Sequence, residues 1–448
     1  MKTMVQIAAE LQGYDPQALT CSDVNVFLSR LVEPVTGTQT VPLFDALGRV
    51  LAQDILSPIS VPPHDNSAMD GFAFDSTQLS AQTPLTLRVV GTALAGKAWS
   101  GSVKPGECVK IMTGAIMPGG LDTVVPQEFV THSAAATITI PAGLLQAGDN
   151  RRKLGEDLMQ GQTALQKGEL LTPAALGLLA SLGLPQVTVW RKLRVAYFST
   201  GDEILSLGDT PREGAVFDSN RYTVFGLLSR LGCDVIDMGV VRDEPELLEA
   251  AFTRAATGAD VIITSGGVSV GEADYTRAMM KKLGDVAFWK IAMRPGRPMA
   301  VGRISSTKLA SSPRDICADS YQFNSNPETP HTAVLFGLPG NPVAVMVTFL
   351  AFVRPALLQM MGCTASAPPL LKARSVEAIR KKPGRTEYQR GTVSTAPDGS
   401  LQVRTTGNQG SGVLSSMVQA NGLIVLHHAQ GSVAAGDDVD VMMFDGEI

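Results

Sequence analysis

The chain has little of what marks a disulfide-stapled, zinc-built or membrane-spanning protein. Its 448 residues hold five cysteines. These are Cys21, Cys108, Cys233, Cys317 and Cys363, and no two form a C-x-x-C pair. An odd, scattered set argues against a disulfide framework and against a structural zinc site. None of the five histidines stands in H-E-x-x-H spacing, and neither a G-x-S-x-G elbow nor a Walker loop occurs. Zinc hydrolysis, hydrolase-type acyl transfer and P-loop chemistry therefore have no motif to rest on. No basic excess exists either: 37 Lys and Arg stand against 42 Asp and Glu, so neither nucleic acid nor an anionic membrane is an expected partner. No long apolar run follows Lys2, and a signal peptide is not expected. Leu170–Trp190 and Thr329–Val353 lack charged side chains but are cut by prolines and glycines. Both read as buried core rather than membrane spans, and the expected location is cytoplasmic.

What the chain does have is apolar content, 44% against 18% charged, enough to bury large cores. Its length predicts two to four domains. Cys21–Val32 reads as a helix with Ser22 as its cap. From Gln53 short β-rich runs (Leu85–Val90, Cys108–Met112, Ala136–Ile140) alternate with Gly and Pro turns. Thr172-Pro173 opens a helix that Gly183 stops. Residues 1–52 and 150–188 are expected to pack together as a scaffold, with 53–149 as an inserted β-rich domain. From Leu193 the rhythm is strand, loop, helix, which implies a doubly wound, mostly parallel sheet over 189–362 with ligands at the carboxyl ends of its strands. After Pro368, short strands with turns at Pro397-Asp398-Gly399 and Asn421-Gly422 predict a small C-terminal β domain over 368–448.

The glycine-rich loops fall where such a sheet binds ligands. Ser265-Gly266-Gly267-Val268-Ser269 follows a buried strand, and glycines there let backbone N–H groups converge on an oxyanion. Glu272 and Asp274 add carboxylates suited to Mg²⁺ or a hydroxyl; the alternative is a glycine turn with no ligand. Ser199-Thr200-Gly201-Asp202-Glu203 repeats the arrangement. Gly337–Pro342 is a proline-stiffened turn that serves either as a ligand cradle or as a helix start with Asn341 as cap. Lys290, Arg294 and Arg297 stand within eight residues in a Pro/Gly-rich stretch. That reads as an oxyanion site or as a solvated basic loop. His64–Ala73 and Lys110–Ala115 read, on residue chemistry alone, as exposed polar turns.

Six blocks, DNSAMDGFA, KIMTGA, STGDE, SGGVSVGEADYT, FWKIAMRPGRP and GLPGNP, stand in this order. The set resembles the molybdopterin molybdenumtransferases, the MoeA family, related to gephyrin and the plant Cnx1 E domain. The resemblance implies an α/β domain similar to the molybdopterin adenylyltransferases, an inserted β-rich domain, a barrel-like C-terminal domain and a homodimer. It implies Mg²⁺-dependent insertion of molybdate into adenylylated molybdopterin with release of AMP, in a cleft shared by two subunits. The residues it points to are Asp274, Glu203, Asp65, Thr113 and Asp243 for catalysis. Asp274, Glu203 and Asp243 would hold the metal. Ser265, Gly266, Gly267, Ser269, Lys290, Arg294, Arg297, Pro339 and Pro342 would hold the substrate. Molybdopterin adenylyltransferase and apo-molybdoenzymes are implied neighbours in the pathway. Phe72 departs from the family's usual tyrosine, and Arg294 and Arg297 replace lysines. The Ile304–His331 stretch looks like an insertion: a lid, a partner site or an inert loop, with inert favoured. Two other readings remain, a molybdopterin adenylyltransferase and a gephyrin-like, non-catalytic dimeric scaffold.

Overall fold

A computed structural model describes residues 2–133, 136–268, 275–306, 331–364 and 369–444. Ser269 and Asp274 lie outside the described residues, as do 307–330 of the insertion.

The first helix of the Cys21 region runs over Cys21–Leu31 and is capped by Thr20, not Ser22. Asp23 N–H donates to Thr20 Oγ1 at 3.2 Å, and Thr20 N–H donates to Asp23 Oδ2 at 3.1 Å. This reciprocal box satisfies two donors where a lone serine would satisfy one. The helix buries Val24, Phe27, Leu28 and Leu31 in the same core as Leu193, Trp289 and Phe352. Phe27 meets Trp289 edge to face, with centroids 4.9 Å apart. The chain up to Val35 therefore packs on the α/β core. Only the limb from Thr38 meets the returning chain: Thr38–Pro42 pairs antiparallel with Gln186–Trp190, and Ile55–Leu56 with Thr163–Leu165. Leu51, Leu171, Leu179 and Val189 fill a small core between them. Thr172 caps Pro173–Ser181 through its side chain.

The inserted β-rich part forms a six-stranded sheet between Gly71 and Ile140. It buries side chains on both faces, with Val109, Ile111 and Val124 on one and Phe72, Phe74 and Leu87 on the other. Phe72 is thus core, only 3% exposed.

The central sheet has the order Asp234–Val241, Arg194–Thr200, Val261–Ser265, Thr332–Leu338, Pro298–Ser305, Gly284–Lys290. Its first four strands are parallel, and Pro298–Ser305 runs antiparallel to both its neighbours. Successive residues alternate between two cores: Val195, Tyr197, Val261 and Ile263 lie in one, Ala196, Phe198 and Ile262 in the other. Period-two alternation between two apolar layers is what a sheet with helices on both faces requires. Pro342–Met360 is long and apolar enough to cross a membrane by composition. Here it is a core element, with Val343, Val345, Val347, Phe352 and Val353 fully buried.

The C-terminal strands close a five-membered ring. Thr386–Thr395 pairs with both Leu401–Thr405 and Gly422–Leu426, while Leu371–Ser375 and Asp438–Met443 complete the circuit. Closure removes the open edges that a small sheet would otherwise expose. Gly422 is the first residue of a strand rather than part of a turn. Asn421 acts as a clip, accepting Val393 N–H at 2.7 Å and donating to Val393 O at 2.9 Å.

Candidate active site

The register of the central sheet brings the motifs to one edge. Thr200, Val241, Ser265 and Leu338 are carboxyl ends of parallel strands. Lys290 ends a strand at the same edge, and Pro298 begins one there, because Lys290 pairs with Pro298 and Ala300 with Gly337. Along the edge the sequence of ends is Val241, Thr200, Ser265, Leu338, Pro298, Lys290. Strands lie about 4.8 Å apart. Asp243 and the Asp202–Glu203 pair therefore stand at one side, the Gly266-Gly267 turn in the middle, and Arg297 and Lys290 at the other side.

Glycine at 266 and 267 is required by close approach. A Cβ on Gly266 would sit 2.4 Å from Thr200 O, and one on Gly267 would sit 2.4 Å from Thr276 Cβ. Both residues also have positive φ, +91° and +64°, a conformation glycine adopts without a Cβ penalty. Gly266 N–H donates to Leu338 O at 3.1 Å, so the turn is pinned to the Gly337–Pro342 turn beside it. Asn341 occupies the cap position and Pro342 the first helical position. Pro339 is buried and Pro342 half-buried. Asn220 Nδ2 donates to Gly340 O at 2.7 Å, which fixes the outer half of this turn.

At the acidic side, Asp243 Oδ1 accepts from Thr276 Oγ1 at 3.0 Å, and Asp243 N–H donates to Asp202 Oδ1 at 3.3 Å. Glu203 folds back over Gly201, where a Cβ would meet its Oε2 at 2.5 Å. Among the described residues no group of three or more acidic, His or Cys side chains is arranged to hold a metal by itself. The carboxylates present fit Mg²⁺ in the form it usually takes, with one or two carboxylates and the remaining ligands from substrate phosphates and water.

The Ser265 hydroxyl is engaged inside the sheet. It is 2% exposed. Its Oγ lies 2.7 Å from Tyr197 OH and 3.2 Å from Ser199 Oγ, with Tyr197 OH 2.9 Å from Ser199 Oγ. The three hydroxyls close a ring inside the sheet, and burial pushes the Tyr197 phenol well above its ordinary range. The ring ties together the strand ends that lead into the STGDE and SGG loops.

The basic side is braced by two other parts of the chain. Lys290 N–H donates to Pro16 O at 2.8 Å, and Ala292 N–H to Leu19 O at 2.7 Å. Met293-Arg294 pairs with Thr386-Glu387 of the barrel. Arg294 and Arg297 are exposed. Behind them is Arg390, with no accessible surface. It is held by Ser416 Oγ at 2.9 Å and by the carbonyls of Asn408 and Gly410 at 3.2 and 3.0 Å, without a carboxylate partner. Burial, and then the Arg294 charge, hold its pKa down at about 10. The loop that carries Asn408 and Gly410 also reaches the sheet edge, where Val343 N–H donates to Ser411 O at 3.1 Å.

Asp65 and Thr113 both lie in the β-rich region, each in polar contacts of its own. Thr113 donates to Asp70 Oδ1 through both N–H, at 2.7 Å, and Oγ1, at 2.8 Å. Those two bonds hold the exposed Asp70 carboxyl below its ordinary range. Asp65 Oδ1 accepts Leu154 N–H at 2.7 Å, and Arg151 lies 3.7 Å from its Oδ2. Within one chain, no hydrogen bond or ion pair among the described residues joins these residues to Asp243 or to the glycine turn.

Sequence reasoning missed Asp70, Thr276, Asp218, Asn220 and Arg390. None of these five stands out in the sequence as a site residue. Their common signal is visible only in three dimensions, as buried or shared polar contacts.

Comparison with known proteins follows the same division of the chain. The profile described as MoeA N-terminal region (domain I and II) matches residues 19–183. A probable molybdopterin binding domain matches 196–359, and the MoeA C-terminal region (domain IV) matches 372–444. The molybdopterin molybdenumtransferase of Haemophilus influenzae is 40% identical over 411 residues, covering 92% of this chain and 95% of the relative. That of a Nostoc species is 33% identical over 442 residues, covering 96% and 95%. A solved molybdopterin biosynthesis MoeA protein of Pyrococcus horikoshii superposes with a TM-score of 0.75 at 24% identity, covering 96% of this chain and all of that one. A second structure of that organism's protein gives 0.68 at 29% identity with the same coverage.

Proposed function

The chain belongs to the MoeA family, and from that premise we propose that it catalyses the insertion of molybdate into adenylylated molybdopterin, releasing AMP. The observation that carries the reading is the charge order along one sheet edge: carboxylates at one side, a glycine turn in the middle, cations at the other. An adenylylated dithiolene carries a pyrophosphate, and the reaction brings in a dianion. Gly266 and Gly267 fold the turn tightly against Thr200 and Thr276, and backbone N–H groups of the turn beyond Gly266 would face the pyrophosphate oxygens. Lys290, Arg294 and Arg297, with Arg390 behind them, face an oxyanion with charge that no carboxylate in the loop neutralises. Asp243, Glu203 and Asp274 would hold Mg²⁺, which when bound stabilises the charge that builds on the phosphate oxygens as AMP departs. Thr276 keeps Asp243 in register with the glycine turn. Pro339 and Pro342 hold the turn between the two poles.

We propose a homodimer in which Asp65 and Thr113 of one subunit face the Asp243 edge of the other. Two observations support this. Within one chain, no hydrogen bond or ion pair among the described residues joins Asp65 or Thr113 to the Asp243 edge. Between Val216 and Phe225, within ten residues, four large apolar or aromatic side chains (Val216, Phe217, Tyr222 and Phe225) are each between 45% and 57% exposed, a density of exposed apolar surface that suits a protein contact. The pathway neighbours are a molybdopterin adenylyltransferase that supplies the substrate and apo-molybdoenzymes that take the product, in the cytoplasm.

Single-turnover conversion tests the proposal. Purified protein is mixed with adenylylated molybdopterin, Mg²⁺ and molybdate, and AMP release and activation of an apo-molybdoenzyme are followed together. Both are expected, and both should require molybdate. Substrate binding with neither product would leave a scaffold. Formation of adenylylated molybdopterin from ATP would make the chain an adenylyltransferase.

A further inference from the structure

Among the described residues, three polar atoms buried at the sheet edge have no partner: Thr200 Oγ1, Asp218 Oδ2 and Asn220 Oδ1. Their residues are 4%, 4% and 7% exposed. Leaving a buried polar atom unpaired is costly, so three at one place call for a partner that the described residues do not supply.

The other halves of the Asp218 and Asn220 side chains are already committed, which fixes what their free atoms are. Asp218 caps the helix Ser219–Arg230, with Oδ1 accepting Arg221 N–H at 3.0 Å. That leaves Oδ2 as a lone acceptor. Asn220 donates through Nδ2 to Gly340 O, so its remaining atom is also an acceptor. The Cβ that Gly266 lacks would stand 3.1 Å from Thr200 Oγ1, and the one Gly340 lacks would stand 4.0 Å from Gly266 Cα. Thr200 and Asn220 therefore flank the junction of the SGG and GLPGNP turns, and Asp218 stands two residues before Asn220 at the start of its helix.

Which ligand chemistry do they suit? A phosphate is unsuitable, because a carboxylate and an amide oxygen repel it. A divalent cation is disfavoured too. Asp218 sits at the amino end of Ser219–Arg230, and Gly340 adjoins the amino end of the helix from Pro342, so two positive helix ends meet here. What remains is a neutral edge with adjacent hydrogen-bond donors. A 2-amino-4-oxo pteridine presents such a pair, its amino N–H and ring N–H. Adenine does not, since its amino group is flanked by acceptor nitrogens. We propose that Asp218 and Asn220 take the donor edge of the pterin ring and so set which end of the substrate lies on this side of the glycine turn. This rests on the function proposed above and adds the residues that read the substrate's ring.

The test is a binding titration with wild-type protein and Asp218→Asn. Asparagine caps a helix about as well as aspartate, but it replaces the free acceptor with an N–H₂ group or a weaker oxygen. Three probes are used: a 6-substituted pterin, its 2-oxo (lumazine) counterpart, and AMP. Wild type should prefer pterin to lumazine by at least tenfold. The variant should lose that preference while AMP affinity and the Mg²⁺ concentration for half-maximal AMP release stay within twofold. Asp218→Ser, which keeps a capping oxygen and deletes the acceptor, should do the same if the asparagine variant fails to fold. An unchanged pterin preference in both variants overturns the inference. A loss of AMP affinity alone assigns the pair to the ribose hydroxyls, and a shifted Mg²⁺ requirement alone assigns it to the metal; either overturns it too. Wild type that binds neither pterin nor AMP would instead remove the functional reading on which the inference rests.

Discussion

Thr276→Val isolates the link between the glycine turn and the acidic side. Thr276 is fully buried. Its hydroxyl reaches Asp243 Oδ1 at 3.0 Å, while its Cβ and Cγ2 would stand 2.4 and 2.5 Å from a Cβ on Gly267. The side chain therefore has two jobs, packing under the turn and orienting the carboxylate. Valine keeps the shape and deletes the donor. A hydrogen bond to a charged group contributes about 1.5–3 kcal/mol, and each 1.4 kcal/mol is about tenfold. Loss of the orientation should then cost about 10–100-fold in single-turnover AMP release or in the Mg²⁺ concentration that supports it. Thr276→Ser retains the hydroxyl and is expected to stay within a few-fold of wild type. The assay is AMP release against Mg²⁺ for the three proteins. A valine variant with the wild-type rate and Mg²⁺ dependence would refute the reasoning, because Asp243 would then need no orienting bond. A serine variant as damaged as the valine one would also refute it, by assigning the effect to packing.

Other outcomes follow from the same geometry. Asp65→Ala and Asp243→Ala should each be inactive as homodimers, but mixed and re-equilibrated subunits should regain about a quarter of wild-type sites if each cleft draws on both chains; no recovery would place both residues in one chain's site. Joining Ser306 to His331 through Asn-Gly should leave turnover within twofold. That insertion springs from the end of the sheet where Ser305 pairs with Thr332, about 20 Å from the Leu338 end at 3.3 Å per residue, so a large loss of activity would contradict its reading as inert. Asp260 should dominate acid stability at its end of the sheet. Burial raises its carboxyl, but the two Arg191 bonds at 2.6 and 2.7 Å and the Arg194 N–H at 2.8 Å outweigh that and leave it low. Its contribution is therefore present above about pH 4, the ordinary aspartate value, and is lost as pH falls below that. Asp260→Asn should flatten the acid limb of a thermal-melt series below pH 4, and an unchanged limb would exclude it.

Much of the architecture was legible because it rests on local rules. Short continuously buried runs such as Val261–Ser265, and caps such as Thr172-Pro173, carry their own pattern. The misplaced cap at Ser22 shows where a local rule fails: two good capping residues stand close together, and the reciprocal bond to Asp23 decides between them. Asn421-Gly422 failed for a different reason. The dipeptide favours a tight turn in isolation, but closing the barrel gives both residues strand partners, and ring closure is a non-local gain that a dipeptide cannot show.

The site was legible only as far as its glycines and charges are written in runs. Gly266-Gly267 announces a close approach, and the structure supplies what is approached, Thr200 O and Thr276 Cβ. Ser265 reads the same way in sequence as Ser269, yet strand register turns its hydroxyl toward Tyr197 and Ser199. Arg390 reads as an ordinary strand residue and becomes significant only because the barrel seats it, buried and without a carboxylate, behind Arg294. The same holds for Asp218 and Asn220, which any reader of the sequence would assign to a helix start. Capping uses only one oxygen of Asp218, and the hook to Gly340 uses only the amide nitrogen of Asn220. A role beyond the helix shows only when each polar atom is followed to its partner and some are found, deep at the strand ends, to have none.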